Sequence, residues 1–198
     1  MPKVSDAHRV QRRQQILDGA RACFAQRGYD QTTVRELEAT TGLSSGAIFS
    51  YYPTKLDLFI ALAAQDAERM AQLWRTGGMA GLVNGIYAEA GQLSASYLEL
   101  GRRIWSDPVF RAKWQDRGAP LIEAVEAGLA AAVEAGHART DMSPEALSAY
   151  ALVVLDGLLL RIRIGMLPDE LTDVIALYEQ TIRGDPTTAS SADRAANA

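Results

Sequence analysis

Between Thr40 and Lys55 the chain reads TTGLSSGAIFSYYPTK, and the lysine at its end is its only charge. Cations frame this run, with Arg12, Arg13 and Arg35 before it and Lys55 closing it. The chemistry open to such a set is recognition of a polyanion. Guanidinium and ammonium groups hold phosphates, and small or hydroxylated residues let a backbone approach a base edge. Ser44, Ser45, Gly46, Ala47, Phe49, Ser50 and Tyr51 are the candidates for that surface. Their hydroxyls can donate to or accept from any base, and Ala47 or the Phe49 ring can meet a thymine methyl. Thr33, at the start of the preceding helix, joins them through the free N–H groups there.

Catalysis finds no such set. The histidines are His8 and His137, far apart in sequence, with no Glu-x-x-His pair, no two-histidine metal spacing and no glycine loop for phosphates. No enzyme and no required cofactor is expected; for a metal site the sequence says nothing.

The elements that must position these residues are helical. Ala, Leu, Glu, Gln and Arg dominate and strict alternation is absent, so the expected class is all-α with about nine helices. The first runs from Val10 to Arg27 and ends at Gly28. Thr33-Val34-Arg35-Glu36 reads as a capping box opening a second helix, which stops at Gly42. Ser44 caps a short third helix that Pro53 closes. A fourth opens at Thr54 with Asp57 and continues to about Trp74, before Gly77-Gly78. Val34, Leu37, Leu43 and Ile48 supply a small core, leaving Ser45, Gly46, Phe49 and Ser50 outward. Further helices are expected over Ala80–Ala90, Leu93–Ser106, Pro108–Gly136, Pro144–Gly165 and Asp169–Arg183. These boundaries give a helix-turn-helix domain over residues 1–53, a helical effector-binding and dimerisation domain over 54–183, and a disordered tail over 184–198.

Charge follows the same division. The chain carries −4 overall, yet its first 55 residues hold eight Lys and Arg against five Asp and Glu, a net +3 that leaves −7 for the rest. A basic front on an acidic body suits a module that touches DNA joined to one that should not. A single cysteine, Cys23, excludes an internal disulfide and suits a reducing compartment. No apolar run reaches membrane-spanning length and MPKVSDAHRVQRRQQ has no apolar leader core, so a cytoplasmic protein without a membrane partner is expected.

The residues ILDGARACFAQRGYDQTTVRELEATTGLSSGAIFSYYPTKLDLF, within Arg12–Leu62, closely resemble the N-terminal domain of TetR-family transcriptional regulators. Ala20, Phe24, Gly28, Tyr29, Thr32-Thr33-Val34, Gly42, Ser44, Gly46, Ile48, Tyr51, Lys55 and Leu58 carry the resemblance. Phe49 and Tyr52 look exchanged relative to the family's usual order, and Glu38 stands where the family usually has Ala. In the body, SDPVFRAKW, ARTD, VLDG and FIALAAQDAERMA resemble the regulators of aconitase expression within that family. The resemblance implies a homodimeric repressor reading a palindromic double-stranded operator, released or modulated by a small molecule. Citrate with a divalent cation is the effector it suggests. Against that, Leu121–Val133 carries Glu123 and Glu126 but no cation. Polar and aromatic residues that could line an effector pocket are Glu99, Arg102, Arg103, Trp105, Trp114, Asp156, Arg161 and Glu179. Asp156, inside the apolar run ALVVLDGLLLRIRIG, is expected to be buried with a partner, in a pocket or at a subunit boundary. The helix over Pro144–Gly165 is too apolar to be covered by one neighbour: it is either the buried centre of a monomer or, as the resemblance implies, joined by Asp169–Arg183 in a four-helix bundle with a second copy of the chain. The alternative is a small-molecule-binding or protein-interaction module whose helix-turn-helix does not read DNA.

Overall fold

A computed structural model describes residues 6–88, 106–163 and 169–184. Its helices are α1 (Asp6–Gln31), α2 (Val34–Thr41), α3 (Ser45–Tyr51), α4 (Lys55–Ala88), α5 (Pro108–Asp116), α6 (Ala119–Glu134), α7 (Pro144–Arg163) and α8 (Leu171–Arg183). No strand occurs among the described residues, and no helix there is long and apolar enough to cross a membrane. All but Ser106 of the helix expected over Leu93–Ser106, and the tail beyond 184, lie outside them.

The punctuation falls largely where the sequence places it. Gly28 leaves helical geometry at φ 78°, with one more short turn to Gln31, and α4 kinks at Gly77 and Gly78. One expectation fails. Pro108–Gly136 is not a single helix but α5 and α6, broken at Arg117-Gly118. Pro120 is the reason: inside a continuous helix it would remove a hydrogen bond and strike the carbonyl four residues back, whereas in the first turn of α6 it costs nothing.

The chain divides into two compact units, Met1–Ala67 with Gly91–Gly118, and Glu68–Ala90 with Ala119–Ala198. The boundary expected at residue 53 is therefore corrected. Leu58, Phe59 and Leu62 of α4 and Phe110 of α5 belong to the same buried cluster as Ile16, Ala20 and Phe24 of α1, Leu37 of α2 and Ile48 of α3. One long helix and two short ones leave too much apolar surface to close a core, and the first turns of α4 together with α5 complete it. Aromatic rings tie it together: Phe59 lies edge-on to Phe24 at 5.5 Å and stacked on Trp114 at 6.0 Å. Val34, assigned to this core from sequence, is 41% exposed, because the face of α2 that packs is the one carrying Leu37 and Thr41.

The second unit packs α6 against α7 and α7 against α8, with Leu82, Val83 and Ile86 of α4, Val125 and Leu129 of α6, Leu155 and Leu158 of α7 and Ile175 of α8 buried. The ARTD motif anchors its loop: Arg139 pairs with Asp141 at 2.6 Å, and the Arg139 N–H donates to the Ile182 carbonyl of α8 at 2.9 Å.

Candidate nucleic-acid interface

The turn between α2 and α3 is specified residue by residue. The Thr33 hydroxyl accepts from the Glu36 N–H at 3.3 Å while the Glu36 carboxylate accepts from the Thr33 N–H at 2.9 Å, a reciprocal cap. Those bonds, with Arg27 at 3.2 Å, hold the Glu36 carboxyl below its ordinary pKa. Gly42 ends α2 at φ 69°, a left-handed conformation that a side chain would strain, and its N–H donates to the Glu38 carbonyl at 2.9 Å. Buried Thr41 donates its hydroxyl to the Leu37 carbonyl at 2.6 Å and accepts from the Leu43 N–H at 3.3 Å. Gln15 of α1 donates to the Thr41 carbonyl at 2.8 Å. Ser44 caps α3 by accepting from the Ala47 N–H at 3.3 Å.

Glu38 adds a brace that sequence reasoning missed. Its carboxylate accepts from the Ser45 N–H, the first residue of α3, at 2.6 Å, and this bond is the main cause of its lowered pKa. The departure at this position thus joins α2 to α3. Nothing in the residue pattern marks it, because the partners are a side chain and a backbone group seven positions apart.

At the Ser44 cap and along α3, Ser44, Gly46 and Ser50 are exposed, Ser45 and Ala47 are half-buried, and Ile48 is fully buried beneath them. The Ser50 hydroxyl donates to the Ala47 carbonyl at 2.7 Å, leaving its oxygen free to accept. Phe49 and Tyr51, placed on the reading surface from sequence, are half-buried and pack against the core cluster. A ring on a seven-residue helix covers more apolar area by lying back on its neighbours than by standing in water.

The cations differ among themselves. Arg13 and Arg35 are exposed, and Arg12 is half-buried with its guanidinium donating to Gln15 at 3.0 Å. Lys55 is committed elsewhere. Its ammonium donates to the carbonyls of Tyr29, Asp30 and Thr32 at 2.9, 3.3 and 3.0 Å and lies 4.6 Å from the Tyr29 ring centroid. Three donors meet three carbonyls at the end of α1, so in this structure the side chain assigned to a phosphate caps a helix.

The residues proposed for an effector pocket scatter. Glu99, Arg102, Arg103 and Trp105 lie outside the described residues. Trp114 belongs to the first unit, stacked on Phe110 at 6.0 Å with the Arg117 guanidinium 3.4 Å from its ring centroid. Asp156 is exposed, not buried, and so is Arg161. On a helix an apolar run shows residues on every side, and the run around Asp156 turns Val153 and Leu160 outward as well, at 71% and 47% exposure.

Glu179 does line a cavity. The second unit holds a cleft of about 630 Å³ between the Gly77-Gly78 kink, α6 and α8, with Trp74, Met79, Ala124, Tyr178 and Ile182 in its wall. Arg75, Glu179 and Arg183 are its charged residues. Trp74 and Tyr178 were missed because a pocket-lining aromatic and a core aromatic have the same helical spacing.

Comparison with known proteins bears on this arrangement. Residues 16–62 match the family model described as bacterial regulatory proteins, tetR family. An HTH-type transcriptional repressor of Mycobacterium tuberculosis is 43% identical over 185 residues, covering 92% of this chain and 99% of the relative. The HTH-type transcriptional repressor AcnR of Corynebacterium glutamicum is 42% identical over 173 residues, covering 86% and 92%. Among solved structures, GusR of Salmonella enterica shares the fold with a TM-score of 0.70 at 19% identity, over 92% of this chain and 100% of that one.

Proposed function

The chain belongs to the tetR family of bacterial regulatory proteins and is a DNA-binding transcriptional regulator, and from that premise we propose that two copies act together as a repressor on a palindromic operator, modulated by a small molecule. The observation that carries the reading is the seating of α3. A short helix with Ser44, Gly46 and Ser50 outward and Ile48 locked beneath is held by caps at both ends of the turn, which is what a helix entering a major groove requires. Arg12, Arg13 and Arg35 hold phosphates on its flanks, and Ser45, Ala47 and Ser50 meet base edges.

One short helix touches few bases, so a second copy is needed to read a full site. Support for self-association comes from α7 and α8. Tyr150, Val153, Gly157 and Leu160 recur at helical spacing along one exposed stripe of α7, and Leu177 of α8 is 63% exposed. Asp156 stands beside that stripe, which favours the subunit boundary over a pocket. Likeness to AcnR and the SDPVFRAKW motif support control of aconitase or related central-metabolism genes. A ligand held better by one state of the second unit would change the spacing of the paired reading helices and so the affinity for the operator.

Footprinting on the DNA upstream of the chain's own gene, at two salt concentrations, tests the reading. One protected palindrome with steep salt dependence is expected, and Ser45→Ala or Ser50→Ala should change which sequences bind. A monomer in solution, or no preference for any palindrome over random duplex, overturns it.

A further inference from the structure

We infer that Gly19 and Thr41 form a positioning contact for the reading helix, a close approach of α1 to the end of α2 that sets where α3 stands against the bases. This rests on the reading of α3 as the helix that enters the groove. Gly19 is buried in the middle of α1 and keeps helical geometry, where alanine would favour the helix more. Space is the reason for a glycine here. A Cβ at this position would stand 2.5 Å from the Thr41 methyl carbon and 3.3 Å from the Thr41 Cα and N.

The methyl cannot swing aside. Thr41 is 5% exposed and its hydroxyl is engaged twice, donating to the Leu37 carbonyl at 2.6 Å and accepting from the Leu43 N–H at 3.3 Å. A β-branched side chain has few rotamers, and these bonds select the one that turns the methyl toward α1. The backbone of Thr41 is held by α1 as well, since the Gln15 amide donates to its carbonyl at 2.8 Å. On the other side of the glycine, the Cys23 thiol donates to the Thr40 hydroxyl at 3.2 Å. Gln15, Gly19 and Cys23 follow one another at helical spacing, so they form a single row along α1 on which the end of α2 is seated.

Only Gly42, Leu43 and Ser44 separate Thr41 from α3. A displacement of Thr41 is therefore carried through a short turn into every side chain of α3 at once. Hydrogen bonds to base edges depend steeply on distance and angle, whereas long arginine side chains on the flanks can follow a phosphate. Disturbing the contact should lower affinity for the preferred sequence and spare affinity for random duplex.

The unmodified full chain is used to select from a library of randomised duplex. The recovered sequence and the unselected library are then titrated as probes against each variant, with the folded fraction fixed by circular dichroism. Gly19→Ala should reduce the ratio of the two affinities about tenfold, the scale of one mismatched base pair. Thr41→Ser keeps the hydroxyl and removes the methyl, so alone it should leave the ratio close to that of the unmodified chain. Added to Gly19→Ala it should restore most of the ratio, because the new Cβ then meets only the 3.3 Å contacts. Thr41→Val removes the hydroxyl bonds and should lower the ratio with the glycine in place. A merely structural role predicts lost stability with the ratio intact. An unchanged ratio in folded Gly19→Ala, or a loss that Thr41→Ser does not restore, overturns the proposal. Should Gly19→Ala not fold, Thr41→Val decides, and an unchanged ratio there overturns it equally. If the unmodified chain recovers no common sequence, the groove reading fails and the contact with it; a common sequence whose ratio no variant moves sinks the positioning contact alone.

Discussion

The two compact units are held together by different kinds of contact. In the first, side chains reach backbone groups at defined points: Lys55 onto the end of α1, Gln15 onto the Thr41 carbonyl, Glu38 onto the Ser45 N–H. Such bonds are directional, and each fixes one helix against another. The second unit relies more on apolar packing of α6, α7 and α8, where volume matters more than direction. A reader of DNA must hold its helix in place, whereas a unit packed by apolar side chains tolerates walls that adjust. The comparison teaches where substitutions should act locally and where they should be absorbed.

The sharpest way to break it is Phe110→Ala. Phe110 is fully buried in the reader's core although it lies some fifty residues beyond α4's first turn in sequence. Truncating a buried phenylalanine costs about 3–5 kcal/mol. Chemical denaturation should show that loss together with weakened operator binding. An unchanged reader would mean that the first 53 residues are self-contained after all.

Lys55→Ala against Arg35→Ala comes next. If Lys55 is a helix cap, its removal lowers stability by about 1.5–3 kcal/mol, the range for hydrogen bonds to a charged group, and leaves the salt slope of operator binding nearly unchanged. Arg35 is exposed, so its loss should leave stability alone and reduce the slope by about 0.9 for one phosphate contact. Thermal melts and titrations at several salt concentrations separate the two. The reverse pattern would return Lys55 to the phosphates.

This contrast also marks what was legible. Caps and breaks were, because Thr33 with Glu36, Ser44, Gly42 and Gly77-Gly78 act through local geometry that neighbours in sequence determine. Lys55 was not, since its three acceptors lie 23 to 26 positions away and a lysine beside a bland run is equally apt for a phosphate. Trp114 was drawn to the wrong unit for a similar reason: no periodicity in α5 tells which core an amphipathic helix will join. Asp156 was misjudged because apolar neighbours in sequence are not neighbours on a helix surface. Pro120 was a visible signal, and it marks the α5–α6 break.

Acid gives a smaller, unit-specific effect. Lys113 and Thr54 bond the Asp57 carboxylate and hold its pKa below the ordinary 3.8. A lowered carboxyl pKa contributes stability above the unfolded value, and that contribution disappears as pH falls through the folded one. The reader should therefore lose this support only below about pH 4. Asp57→Asn should be less stable at neutral pH and flatten part of the acid titration, measured as denaturation midpoint against pH. Equal slopes in both proteins would show that the α4–α5 bond contributes nothing.

The smallest effect is expected at Glu38, where two influences oppose. The carboxylate braces α3 through the Ser45 N–H, which sharpens the choice among sequences. It also sets a negative charge beside the surface proposed to meet phosphates, which should weaken binding to every sequence. Glu38→Gln keeps an acceptor oxygen and removes the charge, so affinity should rise slightly for operator and random duplex alike, with their ratio preserved. Glu38→Ala removes both, so random-duplex affinity should rise while the ratio falls. The lowered pKa keeps the carboxylate ionised throughout the neutral range, so this comparison should not depend on pH between 6 and 8, about one and a half units or more above the ordinary 4.5. If the Gln and Ala variants give the same ratio, the bond to Ser45 orders nothing. The directional contacts that distinguish the first unit would then be fewer than the geometry implies.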